Sequence, residues 1–321
     1  METYKPKVIS ILVVVVNYFS HKLVDSLLND LARQAQSREI TLKVVCADNS
    51  SNEREHNALV KIQQENSLEF DLLRQTDNVG FGRAVNDASK GRQFDFLWLI
   101  NPDIDLFENT LDELIKPIIE FENGIVGGLT ISKNFKPDYR HAWHEPTLIN
   151  TIGWAFGIKK ISANPLWHDS YRHNLQVDDL PYKVDNISGC CMLISHEVWR
   201  ATQGFDEDFF LYSEEIDLCR RARSLGYQPY VAPRARLRHS AHSNDVGLTR
   251  LPLIYSSKLI YADKHRSTSS RVIYRGVIVA GALLRSIVGL LQGKNDRAHV
   301  WWDVAVNSCF AKRFHQEESV Q

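Results

Sequence analysis

Val8-Ile9-Ser10-Ile11-Leu12-Val13-Val14-Val15-Val16, running directly into Asn17-Tyr18, decides how the rest of the chain reads. The run follows Lys5 and Lys7, as the apolar core of a secretory leader would, but it spans only nine residues and no small-residue cleavage site follows it. A continuous apolar run without polar alternation suits a strand buried on both faces of a parallel sheet. No stretch of about 20 uncharged apolar residues occurs in the chain, so no membrane-crossing helix is expected.

Outward from this strand, elements alternate. A helix is expected over Lys22 to Gln36, where Leu23, Leu27, Leu28 and Leu31 recur at helical spacing. A strand over Thr41 to Ala47 ends in Asp48-Asn49-Ser50, and a helix follows over Asn52 to Asn66. A third strand, Leu68 to Arg74, ends in Thr76-Asp77-Asn78. Gly80-Phe81-Gly82 then turns into a helix over Arg83 to Ser89. A fourth buried strand, Phe94 to Ile100, stops at Asn101-Pro102-Asp103. Strand and helix alternating with short connections imply an α/β fold: a mostly parallel, Rossmann-like sheet flanked by helices on both faces. Ligands bind such sheets beyond the carboxyl ends of the strands. The clusters at Asn17, Asp48, Asn78 to Gly82 and Asn101 to Asp105 all lie at those ends.

The second half is less regular. Gly127-Gly128 and Ile131 suggest a strand. Tyr139 to His173, rich in aromatics and His, shows no periodicity and reads as a long, partly ordered insertion able to contact an acceptor. Val184 to Ser195 reads as one strand carrying Ser188-Gly189, and His196 to Ala201 as a short helix. Ser213 to Leu225 reads as a helix ended by Gly226. Pro229 to Ala232 reads as a short strand before a basic, His-rich loop from Arg234 to Asn244. From Leu251 the chain is helical, and Val272 to Leu291 is apolar apart from Arg275 and Arg285. That segment suits either an amphipathic helix on a membrane surface or one packed on the domain or in a homodimer. The division is residues 1–250 as the main domain and 251–321 as a helical extension.

At 321 residues with 44% hydrophobic and 24% charged residues, the chain can bury a sizeable core. Lys and Arg total 38 against 39 Asp and Glu, without the basic excess expected of a nucleic-acid binder. Five cysteines, Cys46, Cys190, Cys191, Cys219 and Cys309, match no zinc spacing. They read as reduced, mostly buried thiols, consistent with a cytoplasmic protein.

Three groups of residues carry candidate chemistry. Asp103 and Asp105, at the end of a strand, offer oxygen ligands to a hard cation that bridges diphosphate oxygens. Their alternative role is to cap the Thr110 to Glu120 helix. Glu214 and Glu215 open a helix, where the dipole favours acids, and one carboxylate there suffices to deprotonate an acceptor hydroxyl. His239 and His242, in Arg238-His239-Ser240-Ala241-His242, suit a metal shell or a phosphate contact.

Taken in order, these pieces resemble a family 2 glycosyltransferase of the GT-A fold, in the bacterial rhamnosyltransferase-like branch. They are Val15-Val16-Asn17-Tyr18, Ala47-Asp48-Asn49-Ser50, Asn78-Val79-Gly80-Phe81-Gly82-Arg83-Ala84-Val85-Asn86, Leu99-Ile100-Asn101-Pro102-Asp103, Ser188-Gly189, and Gly204-Phe205-Asp206-Glu207 through Arg220. The resemblance implies that Asn17, Asp48 and Asn49 line the nucleoside pocket. It implies that Asn78, Gly80, Phe81, Gly82 and Asn86 shape the diphosphate and donor-sugar pocket. Asp103 would be the principal ligand of Mg²⁺ or Mn²⁺, with Asp105 and His239 assisting, Glu215 the base rather than Glu214, and Asp206 near the acceptor. The chain departs from the family in having Glu214-Glu215 where Glu-Asp is common, and in opening its aspartate motif with Asn101.

The reaction so implied is inverting transfer of a sugar, L-rhamnose from dTDP-L-rhamnose, to a lipid-linked or surface polysaccharide such as O-antigen. UDP-sugars are the alternative donors, and a non-catalytic glycan-binding scaffold is the alternative class. A dinucleotide oxidoreductase would need a glycine-rich turn after the first strand, where Asn17-Tyr18-Phe19-Ser20 stands instead. A nucleotidyltransferase would want a Gly-rich basic loop at the same place.

Overall fold

The computed structural model describes residues 8–34, 40–122, 124–138, 140–162, 164–169, 171, 179–239 and 248–310. Strands β1 Ile9–Asn17, β2 Ile40–Asp48, β3 Phe70–Arg74 and β4 Phe96–Ile100 alternate with helices α1 His21–Gln34, α2 Glu53–Glu65 and α3 Phe81–Ser89. Then come β5 Ile104–Leu106, α4 Thr110–Glu120, β6 Ile125–Ile131, β7 Ala142–Trp143 and α5 Leu148–Ala155. The main domain closes with β8 Tyr182–Lys183, β9 Asn186–Ile187, β10 Cys191–Ser195, α6 His196–Ala201, α7 Glu214–Ser224 and β11 Tyr230–His239. Helices α8 Leu251–His265, α9 Thr268–Leu291 and α10 Asn295–Phe310 follow.

Nine strands form one sheet in the order β3-β2-β1-β4-β10-β6-β11-β5, with β8 against β11. β1 runs parallel to β2 and β4, and their register sets Asn17 beside Asp48 at one edge. Side chains of a strand alternate between faces. Ile11, Val13 and Val15 accordingly pack in one cluster with α1 and α4, while Leu12 and Val14 pack in another with α3 and α7. Each such buried aliphatic side chain contributes about 1.5–3 kcal/mol, so β1 anchors both layers. Asn52 caps α2 by accepting from the Arg54 and Glu55 amides, which lifts the acidic first turn of α2 to the ligand edge.

The mostly parallel sheet expected from the sequence is present, with β10 antiparallel to both β4 and β6. Other expectations need correction. The segment read as one strand from Val184 breaks into β9 and β10 at Ser188–Cys190, where the Cys191 amide donates back to the Ser188 carbonyl and closes a turn. The Tyr139 to His173 stretch, apart from Tyr139, Ala163, Ser170, Arg172 and His173 outside the described residues, holds β7, α5 and two short 3₁₀ turns. Its helix is closed by a capping box between Thr147 and Asn150 and packed on α9, contacts that no local periodicity reports. The basic segment after Ala232 is not a loop as far as His239. It continues β11 past a bulge between Ala232 and Arg236 that accommodates Pro233; Ser240 to Asn244 lie outside the described residues.

The C-terminal helices have their own apolar cluster, in which Tyr274, Ile278 and Ala282 of α9 meet Tyr255, Leu259 and Trp301. Gly281 lets α9 press against α5, since a Cβ there would stand 2.8 Å from the Ala155 Cα. Arg285 reaches across to donate to the Ala155 and Trp154 carbonyls and lies 4.1 Å from the Trp154 ring. Despite the expectation of none, α9 is long and apolar enough to cross a membrane by length and composition. Two arginines interrupt the run without lowering its mean hydropathy below that of a span.

Candidate active site

The edge expected to line the nucleoside pocket is a closed hydrogen-bonded network. Asn17 is fully buried; its amide donates to Asp48 (3.3 Å) and Glu55 (3.1 Å), and its carbonyl accepts from the Ser20 amide and hydroxyl. Asp48 Oδ1 also accepts from Ser50, and Oδ2 lies 3.0 Å from His56 Nδ1. Asn17 and Asp48 thus brace the wall of the edge from within. Above them Tyr18 and Phe19 are exposed, stacked edge to face at 4.9 Å, and Phe19 is held at φ 52°. Glu55 had no distinguishing mark in the sequence: an acid in a helix first turn is ordinarily a dipole partner. Here it is buried, and although burial alone would push its carboxyl up, His21 outweighs that and holds it below its ordinary value.

Asn49 carries the network to the turn at Asn78 to Gly82. It donates to Asn78 Oδ1 (2.8 Å) and the Gly80 carbonyl (3.2 Å) and accepts from the Val79 amide (2.9 Å). Gly80 has φ +85°, and a Cβ there would lie 2.2 Å from the Phe210 carbonyl oxygen, so only glycine fits. The Phe81 amide donates to that same oxygen. Gly82 packs against Phe205, and Asn86 both donates to and accepts from the Phe205 backbone (2.8 and 2.9 Å). These residues fasten α3 to the turn that leads into α7. The expected donor residues do share one edge, and most of their polar atoms are used within the protein.

Asp103 and His239 meet where β4 gives way to β5. β5 pairs antiparallel with β11, placing His239 opposite Ile104 and Arg238 opposite Asp105. His239 Nδ1 lies 3.3 Å from Asp103 Oδ2 and, though buried, makes no hydrogen bond. Burial raises the Asp103 carboxyl, while His239, Arg140 and Arg250 act to lower it. Asp105 is engaged differently: Arg238 Nε donates to its Oδ2 at 2.8 Å. Neither acid caps α4, whose N-cap is Asn109. Among the described residues no three His, Cys, Asp or Glu side chains converge as a cage. A buried imidazole nitrogen without a hydrogen bond beside a carboxylate fits a divalent cation that takes its other ligands from phosphate oxygens and water. Arg140 and Arg250, missed in the sequence, add positive charge here. Arg140 lies in the aperiodic stretch, oriented by Asp138 (2.9 Å), and Arg250 stands at the start of the helical tail.

α7 places its two acids differently. Glu214 is buried beneath Gly82, and its Oε2 has no hydrogen-bond partner. Glu215 lies with its Cβ position against Gly189 and lines a cavity of about 350 Å³. The Ser188–Cys190 turn is tied in turn to the aspartate motif, because the Asn101 amide donates to the Cys190 carbonyl at 3.0 Å. Burial pushes the Glu215 carboxyl up to about 7. It raises Glu214 well above the usual carboxylate range, with the charge of Glu215 adding to it. Asp206 does not face this cavity: it pairs with Lys264 of α8 at 2.7 Å, which also binds Asp208. Four cysteines are buried thiols and Cys309 is exposed.

The arrangement places the Asp103–His239 pair, a carboxylate able to accept a proton near neutral pH, and a glycine-shaped turn along one sheet edge. Comparison with known proteins agrees. The family model described as Glycosyltransferase like family 2 matches residues 6–250. The N-acetylglucosaminyl-diphospho-decaprenol L-rhamnosyltransferase of Mycobacterium tuberculosis is 28% identical over 250 residues, covering 73% of this chain and 79% of that one. Rhamnosyltransferase WbbL of Escherichia coli is 25% identical over 170 residues, 50% of this chain and 58% of its own. The solved mannosyltransferase PcManGT from Pyrobaculum calidifontis, in complex with GDP-Man and Mn²⁺, superposes with a TM-score of 0.58 at 14% identity, covering 97% of this chain and 89% of that one. This chain is therefore a glycosyltransferase of GT-A fold that belongs to the glycosyltransferase family 2-like family, and the relatives it resembles include rhamnosyltransferases.

Proposed function

We propose that the protein is an inverting, metal-dependent transferase that moves L-rhamnose from dTDP-L-rhamnose to a lipid-linked or surface glycan. The observation that carries this reading is the placement of Glu215 on an open cavity wall, beside the Ser188–Cys190 turn whose Cys190 carbonyl accepts from the Asn101 amide, two residues before Asp103. In this reading Asp103 and His239 hold Mg²⁺ or Mn²⁺, which when bound neutralises charge on the departing diphosphate. Arg140 and Arg250 add to that field. Glu215 takes the proton of an acceptor hydroxyl. The freed oxygen bonds to the anomeric carbon as the bond to the nucleoside diphosphate breaks on the opposite face, so configuration inverts. Glu214, more deeply buried and pushed further up by the charge of Glu215, ionises less readily than Glu215. Tyr18 and Phe19 offer the nucleobase an aromatic surface.

The rhamnose donor is supported by the names of two relatives, and the lipid-diphosphate acceptor by one of them. A row of exposed apolar residues on α9, Ile273, Leu284, Ile287 and Leu291, supports peripheral contact with a membrane, in this reading at its cytoplasmic face. Residues 1–250 would then hold the chemistry and 251–321 the approach to the lipid. The test is thermal stabilisation by a panel of nucleoside diphosphates and nucleotide sugars, with and without Mn²⁺. A metal-dependent shift larger for dTDP or dTDP-rhamnose than for UDP species is expected. A preference for UDP species would discard rhamnose, and no shift with any nucleotide would favour a non-catalytic scaffold.

A further inference from the structure

Of the two successive acids that open α7, Glu215 lines the cavity and Glu214 is sealed beneath Gly82. Successive side chains of a helix point about 100° apart around its axis. The rotational setting of α7 therefore decides which acid faces the cavity, and a small turn of the helix would exchange them.

The backbone entering α7 does not fix that setting alone. Tyr212 and Ser213 have φ of 71° and 67°, and among the described residues they are the only successive non-glycine pair in the left-handed region. L side chains disfavour that region. Ser213, the N-cap, makes no side-chain hydrogen bond to the first turn. An entry of this kind relaxes unless its surroundings hold it.

The hold comes from α8. Ser257 Oγ donates to the Leu211 carbonyl at 2.7 Å, just before the left-handed pair. One turn into α7, Asp217 is 1% exposed and both of its oxygens are engaged. Oδ1 lies 2.6 Å from His265 Nε2 at the end of α8, and Oδ2 accepts from Arg221 Nε at 2.7 Å. Arg221 donates onward to the Thr202 and Gly204 carbonyls. Burial would push the Asp217 carboxyl up, but His265, then Arg221, outweigh it and hold the group below its ordinary range. Asp217 is thus a buried charge clamped from two sides. Turning α7 would strand it unpaired in the interior, which is strongly unfavourable.

We propose that Asp217 is a positioning residue: clamped between His265 and Arg221, it locks the rotation of α7 so that Glu215 faces the cavity and Glu214 stays sealed. The helical extension then supplies, through His265, part of the aim of the catalytic acid. The catalytic consequence rests on Glu215 as the base; the lock itself does not.

The experiment is alkylation by N-ethylmaleimide of the full chain carrying Cys309→Ser, which removes the exposed thiol, together with either Glu214→Cys or Glu215→Cys. With the clamp intact, the thiol at 215 should react about tenfold or more faster than the thiol at 214. His265→Leu should lower that ratio severalfold, while His265→Gln, which keeps a donor near the Nε2 position, should preserve it. Arg221→Met removes the other half of the clamp and serves if the His265→Leu protein fails to fold. Leu259→Ala, which hollows the C-terminal apolar cluster rather than the clamp, controls for general loosening and should leave the ratio unchanged. With Glu214 and Glu215 in place, His265→Leu should lower kcat about 10–10²-fold while the donor KM and the nucleotide-dependent thermal shift hold. A ratio unchanged by both His265→Leu and Arg221→Met, or lowered as much by Leu259→Ala, overturns the proposal. A ratio that tracks the clamp in a protein whose Glu215→Gln variant turns over normally would sink Glu215 as the base and leave the lock standing.

Discussion

The nucleoside edge at β1 and β2 and the acid-bearing start of α7 both bury polar side chains, and they treat them in opposite ways. At the first, Asn17, Asp48, Asn49 and Glu55 satisfy one another and the backbone around them. At the second, Glu214 Oε2 and, across the site, His239 Nδ1 are buried without a hydrogen bond. A satisfied buried network fixes a shape, because any rearrangement costs several bonds at once. An unsatisfied carboxyl instead has a displaced pKa, because burial penalises its charge and nothing local restores it. In the proposed reading, the donor edge is built for form and the α7 edge for proton transfer.

Glu215→Gln tests the α7 side hardest. It should lower kcat about 10²–10⁴-fold, the usual contribution of a general base, while the nucleotide-dependent thermal shift persists. A dead Glu214→Gln with a live Glu215→Gln would reverse the roles assigned to the pair. Asp103→Ala should cost about 10²–10³-fold in transfer and abolish the dependence of that shift on Mn²⁺; full activity would remove the metal assignment.

The pH profile sharpens the same contrast. With the Glu215 carboxyl raised from 4.5 to about 7, kcat/KM should fall as pH drops below about 7 and level off above it. The stability sign runs the other way. A carboxyl raised in the folded state contributes stability that is fully present below 4.5 and lost as pH rises through about 7. Thermal melts should therefore show Glu215→Gln gaining on the wild type over that window.

On the donor side the expected effects are structural. Asn49→Ala strips partners from the Val79 amide and the Gly80 carbonyl and should destabilise the protein by about 1–3 kcal/mol. It should raise KM for the donor more than it lowers kcat; an equal loss in both would place Asn49 in the chemistry. The smallest change is expected for Leu291→Glu on the exposed stripe of α9, within about 0.5 kcal/mol in stability. Flotation with anionic vesicles should nevertheless drop for that variant, and undiminished flotation would argue for a protein partner on this face instead.

The first four strands were legible because each is a short, continuous apolar run that ends in polar residues, and such runs leave little choice of structure. The polar clusters at the strand ends were legible as a group for the same reason. Their hydrogen-bond partners were not: the register sets Asn17 beside Asp48, and Asn17 donates to Glu55 as well. Asp105 resembled Asp103 in the sequence, and only the pairing of β5 with β11 gave it to Arg238. The insertion was illegible because α5 is short and is stabilised by α9, more than a hundred residues later.

By itself, the sequence determined the alternating half of the fold, the edge on which ligands meet and the acids available there. These follow from local hydrophobic runs and from polar residues at strand ends, which act over a few neighbours. Only the tertiary structure decided which acid is sealed in and which faces a cavity, that His239 reaches Asp103, and that aromatic rings from α5 and α8 enclose the space before Glu215. Burial, charge balance and cavity shape are sums over residues far apart in the chain, and no local pattern contains them.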